Sequence, residues 1–224
     1  LMLWPDGGYA PFRGEKGTTW EGGLRVPCLV KWPGRIKPGS TSNGIQSHED
    51  LFATLAAAGG ATTLKEDLLK GAKLNGTTYK VHLDGYNNLD HWTGKSAKSA
   101  RRAFFYYDET DLMAVRVDGW KMHIGVKKEG SWFNAKYYPS VPYIFNLLMD
   151  PMEKMDPESH EWGYIGRKFV GQKLWAPNAA KPFMVEHVLS FQKYPPRQAA
   201  DTLSLHVAME QAMKKLENTP MSAN

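Results

Sequence analysis

A single cysteine, Cys28, stands among the 224 residues. An internal disulfide and a zinc site built from several thiolates are thereby excluded. Apolar runs are short, and none approaches the roughly 18 to 20 residues of a membrane-spanning helix. The opening Leu1-Met2-Leu3-Trp4-Pro5 has neither the basic region nor the apolar core of a secretory leader. Organised sequence begins at once, so the chain reads as entered in mid-domain. No internal repeat or low-complexity tract is visible. The net charge of +5 is not gathered into a basic stripe, so nucleic acid is not expected as a partner, whereas an anionic substrate suits the excess. Hydrophobic residues at 42% and charged residues at 23% are ordinary for a globular protein, and the length allows one large domain or two smaller ones.

Glycine and proline punctuate the rest. Residues 1 to 24 read as loop. Val26 to Trp32 is a short apolar run stopped by Pro33-Gly34, which predicts a buried strand with Cys28 as a small buried residue. Ser47-His48-Glu49-Asp50 then opens a helix, with Ser47 and Asp50 as a capping-box-like pair; Leu51, Phe52, Leu55 and Ala58 form its apolar face, and Gly59-Gly60 ends it. A strand leading into a helix points to α/β architecture. Asn75-Gly76 predicts a hairpin turn; Asn75-Gly76-Thr77 as a glycosylation sequon is read as a chance match.

The polar stretch Thr93 to Ser99 reads as a linker. It places a boundary between residues 1–95 and an α+β unit over 96–224. In the second unit, Ala103–Tyr107, Leu112–Val117, Trp120–Val126 and Tyr143–Leu147 predict four antiparallel strands, with Asp118-Gly119 as a tight turn and Asp150-Pro151 closing the last strand. Residues 158–175 and 199–217 predict helices. Leu203, Val207, Met213 and Leu216 form a packing stripe on the second of these.

The chemically suggestive stretch is Arg13 to Pro27, RGEKGTTWEGGLRVP. Lys16 sits between Gly14 and Gly17, with Arg13 and Arg25 to either side. Glycine lets backbone approach a ligand closely, and an ammonium is a compact point charge with three donors. Such a loop suits a tetrahedral anion, although the spacing of a phosphate-binding P-loop is absent and an exposed turn lysine is the plain alternative. Glu21 reads as a buried carboxylate accepting backbone N–H groups, or as a group orienting Lys16 or Arg25.

This run, continuing into Cys28-Leu29-Val30-Lys31-Trp32-Pro33-Gly34, resembles the sulfatase family. The resemblance extends to Ser47–Leu55, Leu83-Asp84-Gly85-Tyr86-Asn87, Trp92-Thr93-Gly94-Lys95, Arg101–Tyr107, Leu112–Lys121, and Ile144–Leu147 followed by Asp150-Pro151. It covers most of residues 4 to 157 and is looser beyond. It implies the C-terminal end of an alkaline-phosphatase-like α/β domain, followed by the smaller α+β subdomain with its four-stranded antiparallel sheet. The implied activity is hydrolysis of sulfate monoesters by a formylglycine nucleophile with the help of calcium. The family lysine of this loop contacts the sulfate, a role that carries over to Lys16. Arg13, Asp108 and Asp111 are weaker candidates for substrate contacts.

Departures from the family pattern are informative. Cys28-Leu29-Val30-Lys31 is not the Cys/Ser-x-Pro-x-Arg modification motif, so Cys28 is not the nucleophile. Asp6-Gly7-Gly8 lacks the Asn of the family's calcium motif, which leaves Asp6 a weak metal candidate. The nucleophile and the calcium ligands are therefore expected upstream of Leu1, and the substrate is expected to be a sulfated small molecule or glycan. The rival readings are a phosphonate or phosphate ester hydrolase of the same superfamily, and a non-catalytic remnant or anion-binding module. The resemblance implies a periplasmic or secreted protein, with a cytoplasmic one still open. His48 and His123 read as structural, the latter as core or edge packing. Arg116 reads as one half of an ion pair between the two units.

Overall fold

The computed structural model describes residues 11–128, 131–195, 208–211 and 213–214. Its centre is a four-stranded antiparallel sheet in the order β3-β4-β5-β6, formed by β3 (Ala103–Asp108), β4 (Asp111–Val117), β5 (Trp120–His123) and β6 (Tyr143–Asn146). Each predicted strand is present, although β5 stops at His123. Val126 instead makes an isolated bridge to Tyr137. Asp118 adopts φ 51 in the turn between β4 and β5, the left-handed conformation that Asp tolerates better than most residues.

Strand alternation divides the sheet chemically. On one face Ala103, Val115, Val117, Met122 and Ile144 pack against α5 (Gly163–Gln172) and α6 (Ala176–Lys193) through Val170, Ala176 and Ala180. The opposite face carries Tyr106, Arg116, Lys121, His123, Tyr143 and Phe145. Trp20 joins Tyr143, Phe145, Leu147 and Val126 in a second core there. One face is thus an aliphatic contact with helices. The other is a polar face with aromatic margins, covered by the Arg13–Arg25 loop.

The first part of the chain holds α1 (Glu21–Leu24), α2 (Glu49–Ala58), α3 (Leu64–Lys70), the hairpin β1 (Ala72–Leu74) with β2 (Thr77–Tyr79), and α4 (Leu89–Trp92). The Asn75-Gly76 turn forms as expected, with φ 47 and 83. At the start of α2 the Ser47 N–H donates to Asp50 Oδ2 at 2.9 Å, the backbone half of the expected capping pair; the Ser47 hydroxyl reaches only the Glu49 N–H, at 3.4 Å.

Several expectations are corrected. Val26 to Trp32 forms no strand, and Cys28, Leu29 and Val30 are exposed. No described strand lies beside this run, so neither its backbone nor its apolar side chains have a surface to join. The buried side of α2 is Asp50, Ala53, Thr54 and Ala57, while Phe52 and Leu55 face outward. Polar groups took the inner face because Asp50 receives Arg101 there. The helix expected over 158–175 is confined to α5, and α6 was not anticipated. The helix expected over 199–217 falls largely outside the described residues; 208–211 and 213–214 are helical.

Arg101 joins the two parts. Its Nε and Nη2 donate to the Asp50 carboxylate at 2.9 and 2.8 Å, and Nη2 also reaches Glu49 Oε2 at 2.8 Å and Asp84 O at 3.0 Å. The planar guanidinium suits this fork, and both Asp50 and Arg101 are buried.

Candidate functional site

The Arg13–Arg25 loop is closed by its own backbone. The Gly22 N–H donates to Arg13 O at 2.7 Å, and Thr18 turns back on Glu15 O through both its N–H and its hydroxyl, at 3.1 and 2.7 Å. This crossing requires glycine at 22, where a Cβ would lie 2.4 to 2.6 Å from the carbonyl oxygens of Gly14, Phe12 and Arg13. At Gly17 the backbone is left-handed (φ 83) and presses on Trp132, so a Cβ would meet that ring at 2.5 Å. The glycines therefore serve close packing, and they hold the backbone on either side of Lys16 in one shape.

Beneath the loop lies a buried charge network. Glu21 Oε1 accepts from the Tyr106 hydroxyl at 2.8 Å and from Lys121 Nζ at 3.0 Å, while Oε2 lies 3.6 Å from Arg116 Nη1. Lys121 also donates to Thr19 O at 2.7 Å and sits 3.0 Å from Glu153 Oε1. Glu153 is fully buried; its Oε2 accepts the Glu21 N–H at 2.7 Å and its Oε1 accepts His123 Nε2 at 2.7 Å. Register explains the convergence, since Arg116 and Lys121 are directly opposed on β4 and β5, and Ala114 opposes His123 one step along the same face.

Charge balance fixes the protonation states. Burial alone would raise the Glu153 carboxyl, but Lys121 and His123 outweigh it and bring it down to about 2. Burial, then Lys121, pushes the His123 pKa down, so the ring is neutral near pH 7. Two carboxylates, Glu21 and Glu153, then face two cations, Lys121 and Arg116. Because the partner of His123 Nε2 is a carboxylate, Nε2 carries the proton and Nδ1 is left without a hydrogen-bond partner. Burial and Glu21 push the Tyr106 phenol well up, so it stays a donor.

The expected site residues occupy distinct settings. Lys16 is exposed; its ammonium lies 5.6 Å from the Trp132 ring centroid and makes no ion pair or hydrogen bond with a described residue. Arg13 is fully engaged, stacking 3.7 Å over Trp20 and donating to Asp156 Oδ2 at 3.0 Å, Lys128 O at 2.8 Å and Glu153 O at 3.2 Å. Asp108 is nearly buried, with Oδ2 in ion-pair contact with Lys127 Nζ at 3.1 Å. Lys127 in turn donates to Gly17 O at 2.9 Å, so Asp108 is linked to the residue beside Lys16. Asp111 accepts from Lys136 at 2.7 Å and from Tyr138 at 3.3 Å. Asp6 lies outside the described residues. Among the described residues no group of three or more His, Cys, Asp or Glu is arranged to hold a metal ion, so these residues do not form a calcium cage.

Three sequence readings are refined here. Glu21 is buried as expected, but its carboxylate accepts side-chain donors, not backbone N–H groups. Arg116 does form an ion pair between the two parts, with Glu21. His123 packs in the core as expected. Glu153, Lys121 and Trp132 were not singled out in advance. The alternation of Arg116, Lys121 and His123 on two adjacent strands was the available signal for a polar sheet face.

Glu15 extends the site. Its Oε1 accepts the Trp132 N–H and the Ser131 hydroxyl, each at 2.9 Å, which holds the carboxyl below its usual range. The Arg13–Arg25 loop is thereby fastened to the segment Ser131–Asn134.

No helix among the described residues is long and apolar enough to cross a membrane. Comparison with known proteins agrees with the sequence resemblance. The family model "Sulfatase" matches residues 5–61. An arylsulfatase of Hemicentrotus pulcherrimus is 38% identical over 124 residues, covering 55% of this chain and 20% of that protein. An N-acetylgalactosamine-6-sulfatase of Rattus norvegicus is 32% identical over 172 residues, covering 66% of this chain and 29% of that protein. The crystal structure of the PsFucS1 sulfatase from Pseudoalteromonas sp. superposes with a TM-score of 0.62 at 29% identity, over 89% of this chain and 36% of that one. The chain thus spans roughly a fifth to a third of the length of these relatives. By sequence and by fold it resembles part of the proteins of the sulfatase family.

Proposed function

We propose that the polypeptide containing this chain hydrolyses sulfate monoesters to an alcohol and inorganic sulfate, with Lys16 as a sulfate contact. One observation carries this reading. Within the Arg13–Arg25 loop Arg13, Glu15 and Glu21 are each committed to internal partners, whereas the Lys16 ammonium points to solvent from a backbone held by packed glycines. When the ester S–O bond breaks, negative charge grows on the sulfuryl and leaving oxygens, and a cation already in place stabilises it without reorganisation. Lys127 and Asp108 would position Lys16 through the Gly17 carbonyl. Arg13 would anchor the loop, since its guanidinium is already held by Asp156, Lys128 and Glu153. Asp111, tied to Lys136, would shape the rim.

Calcium and a formylglycine nucleophile, which the family resemblance implies, would come from residues other than those described; the metal would supply Lewis-acid polarisation of the sulfate oxygens. The substrate would be a sulfated small molecule or glycan. The test is turnover of 4-nitrophenyl sulfate and 4-nitrophenyl phosphate by the complete polypeptide and by its Lys16→Ala variant. A loss on the order of 10²-fold or more in kcat/KM for the sulfate is expected. An unchanged rate would remove Lys16 from the site, and preference for the phosphate would replace the sulfatase reading with the phosphatase one.

A further inference from the structure

Beside Lys16 lies a surface with no part in that reading. Trp132 is 42% exposed and Phe133 95% exposed, with ring centroids 6.4 Å apart and planes 34° from each other. A lone exposed aromatic is ordinary. These two are held in place: Glu15 grips the backbone of Trp132 and the hydroxyl of Ser131, and Asn134 Oδ1 accepts the Ser131 N–H at 3.0 Å. The indole rests against Gly17 on one side, where there is no room for a methyl group, and the residue remains 42% exposed. The Lys16 loop and the segment Ser131–Asn134 therefore present an ammonium and an aromatic pair side by side, connected through Glu15 and Gly17.

We propose that Trp132 and Phe133 form a stacking platform for a sugar ring of a sulfated saccharide whose sulfate lies on Lys16; this rests on the sulfate-contact reading above. The shape of the surface decides the ligand class. Sites for small aryl compounds are concave and enclose most of the ligand. Trp132 and Phe133 stand 42% and 95% exposed among the described residues, so a small aryl ring laid on them would leave much of its surface in water. A sugar ring is amphipathic: its C–H face covers an indole while its hydroxyls stay hydrated, so an open platform suits it. The ammonium beside the ring supplies the complementary charge for a sulfate carried on that same sugar.

The test is saturation-transfer NMR and titration calorimetry on this chain with four probes: a sulfated galactan tetrasaccharide, the same tetrasaccharide desulfated, 4-nitrophenyl sulfate and inorganic sulfate. Saturation is expected on ring C–H protons of the sulfated tetrasaccharide. Trp132→Ala should weaken that binding by about three- to tenfold and Phe133→Ala by less, with affinity for inorganic sulfate unchanged. Trp132→Phe should restore most of the loss, which separates stacking from misfolding; the exposed Phe133 side chain gives a second, structurally mild probe. Lys16→Met should weaken both the sulfated saccharide and inorganic sulfate. If the aromatic variants leave saccharide affinity unchanged while Lys16→Met lowers it, the platform is overturned and the Lys16 reading stands. If Lys16→Met changes nothing, the sulfate-contact reading falls and the proposal with it. Saturation confined to 4-nitrophenyl sulfate, or no binding of the sulfated tetrasaccharide by the unsubstituted chain, also overturns the proposal.

Discussion

The ammonium of Lys121, buried in β5, donates to the Glu21 carboxylate at 3.0 Å and ties the sheet to the loop that carries Lys16. Desolvating a lysine is costly, and the cost is offset here by two carboxylates, a carbonyl and an aromatic face. Lys121→Met leaves Glu21 and Glu153 facing each other with one cation fewer. The expected loss is about 3–5 kcal/mol, read by urea denaturation. The double variant Lys121→Met with Glu21→Gln should recover part of it. A loss below about 1 kcal/mol would mean that the network is not coupled as described.

Acid should weaken the fold in two stages. The folded pKa of His123 lies below the ordinary 6.5, so on acidification through 6.5 the unfolded chain binds a proton that the folded chain refuses, and stability falls. Glu153 is held at about 2 against an ordinary 4.5; its stabilisation is complete above 4.5 and is lost as pH falls from there toward 2. Thermal unfolding followed from pH 8 to pH 3 should show Tm beginning to drop near 6.5. His123→Gln should flatten the upper part of that decline. A variant curve parallel to the unsubstituted one would exclude His123 as its source.

Two glycine substitutions should act in opposite directions. Gly22→Ala drives a methyl group into three carbonyl oxygens and should destabilise by roughly 1–3 kcal/mol while displacing Lys16. Gly171→Ala, in α5 with open space around it, should stabilise by roughly 0.5–1 kcal/mol. Chemical denaturation of both variants reads the difference, and equal effects would contradict the packing described.

Arg101→Lys keeps the charge but loses the planar fork on Asp50. A cost of about 1.5–3 kcal/mol is expected from the charged hydrogen bonds that lysine cannot reproduce. Hydrogen exchange should show faster opening at the start of β3 and in the first turn of α2. Unchanged protection at both places would show that Arg101 does not couple them.

The sheet was legible because its strands are short, largely apolar runs punctuated by Asp118-Gly119 and Asp150-Pro151. The loop carrying Lys16 stood out in the sequence through its glycines and its lysine, and the structure gives it one close-packed shape. Its foundation did not stand out, because Glu21, Lys121 and Glu153 are far apart in sequence and meet only through strand register and a turn. Glu153 adopts φ 53 in that turn, which nothing in its neighbours announces. Helix α6 was hidden by Pro177 near its start and Pro182 within it, residues that ordinarily argue against helix. The outward-facing Phe52 and Leu55 mislead for the converse reason: hydrophobic spacing names an apolar face but cannot say which face a buried ion pair will claim.

The exposed run from Arg25 to Val30 has a colloidal consequence. Leu29 is 97% exposed and Val26 60%, which leaves a β-prone run without a strand partner among the described residues. Pro27 removes a backbone donor from the middle of that run, and Lys31 followed by Pro33 closes it with a charge and a second missing donor. These three residues are expected to act as gatekeepers against intermolecular strand pairing. Replacing Pro27 with Val and Lys31 with Thr should lower the concentration at which light scattering appears, with little change in Tm. The brake on self-association would thus lie within and beside the exposed run itself.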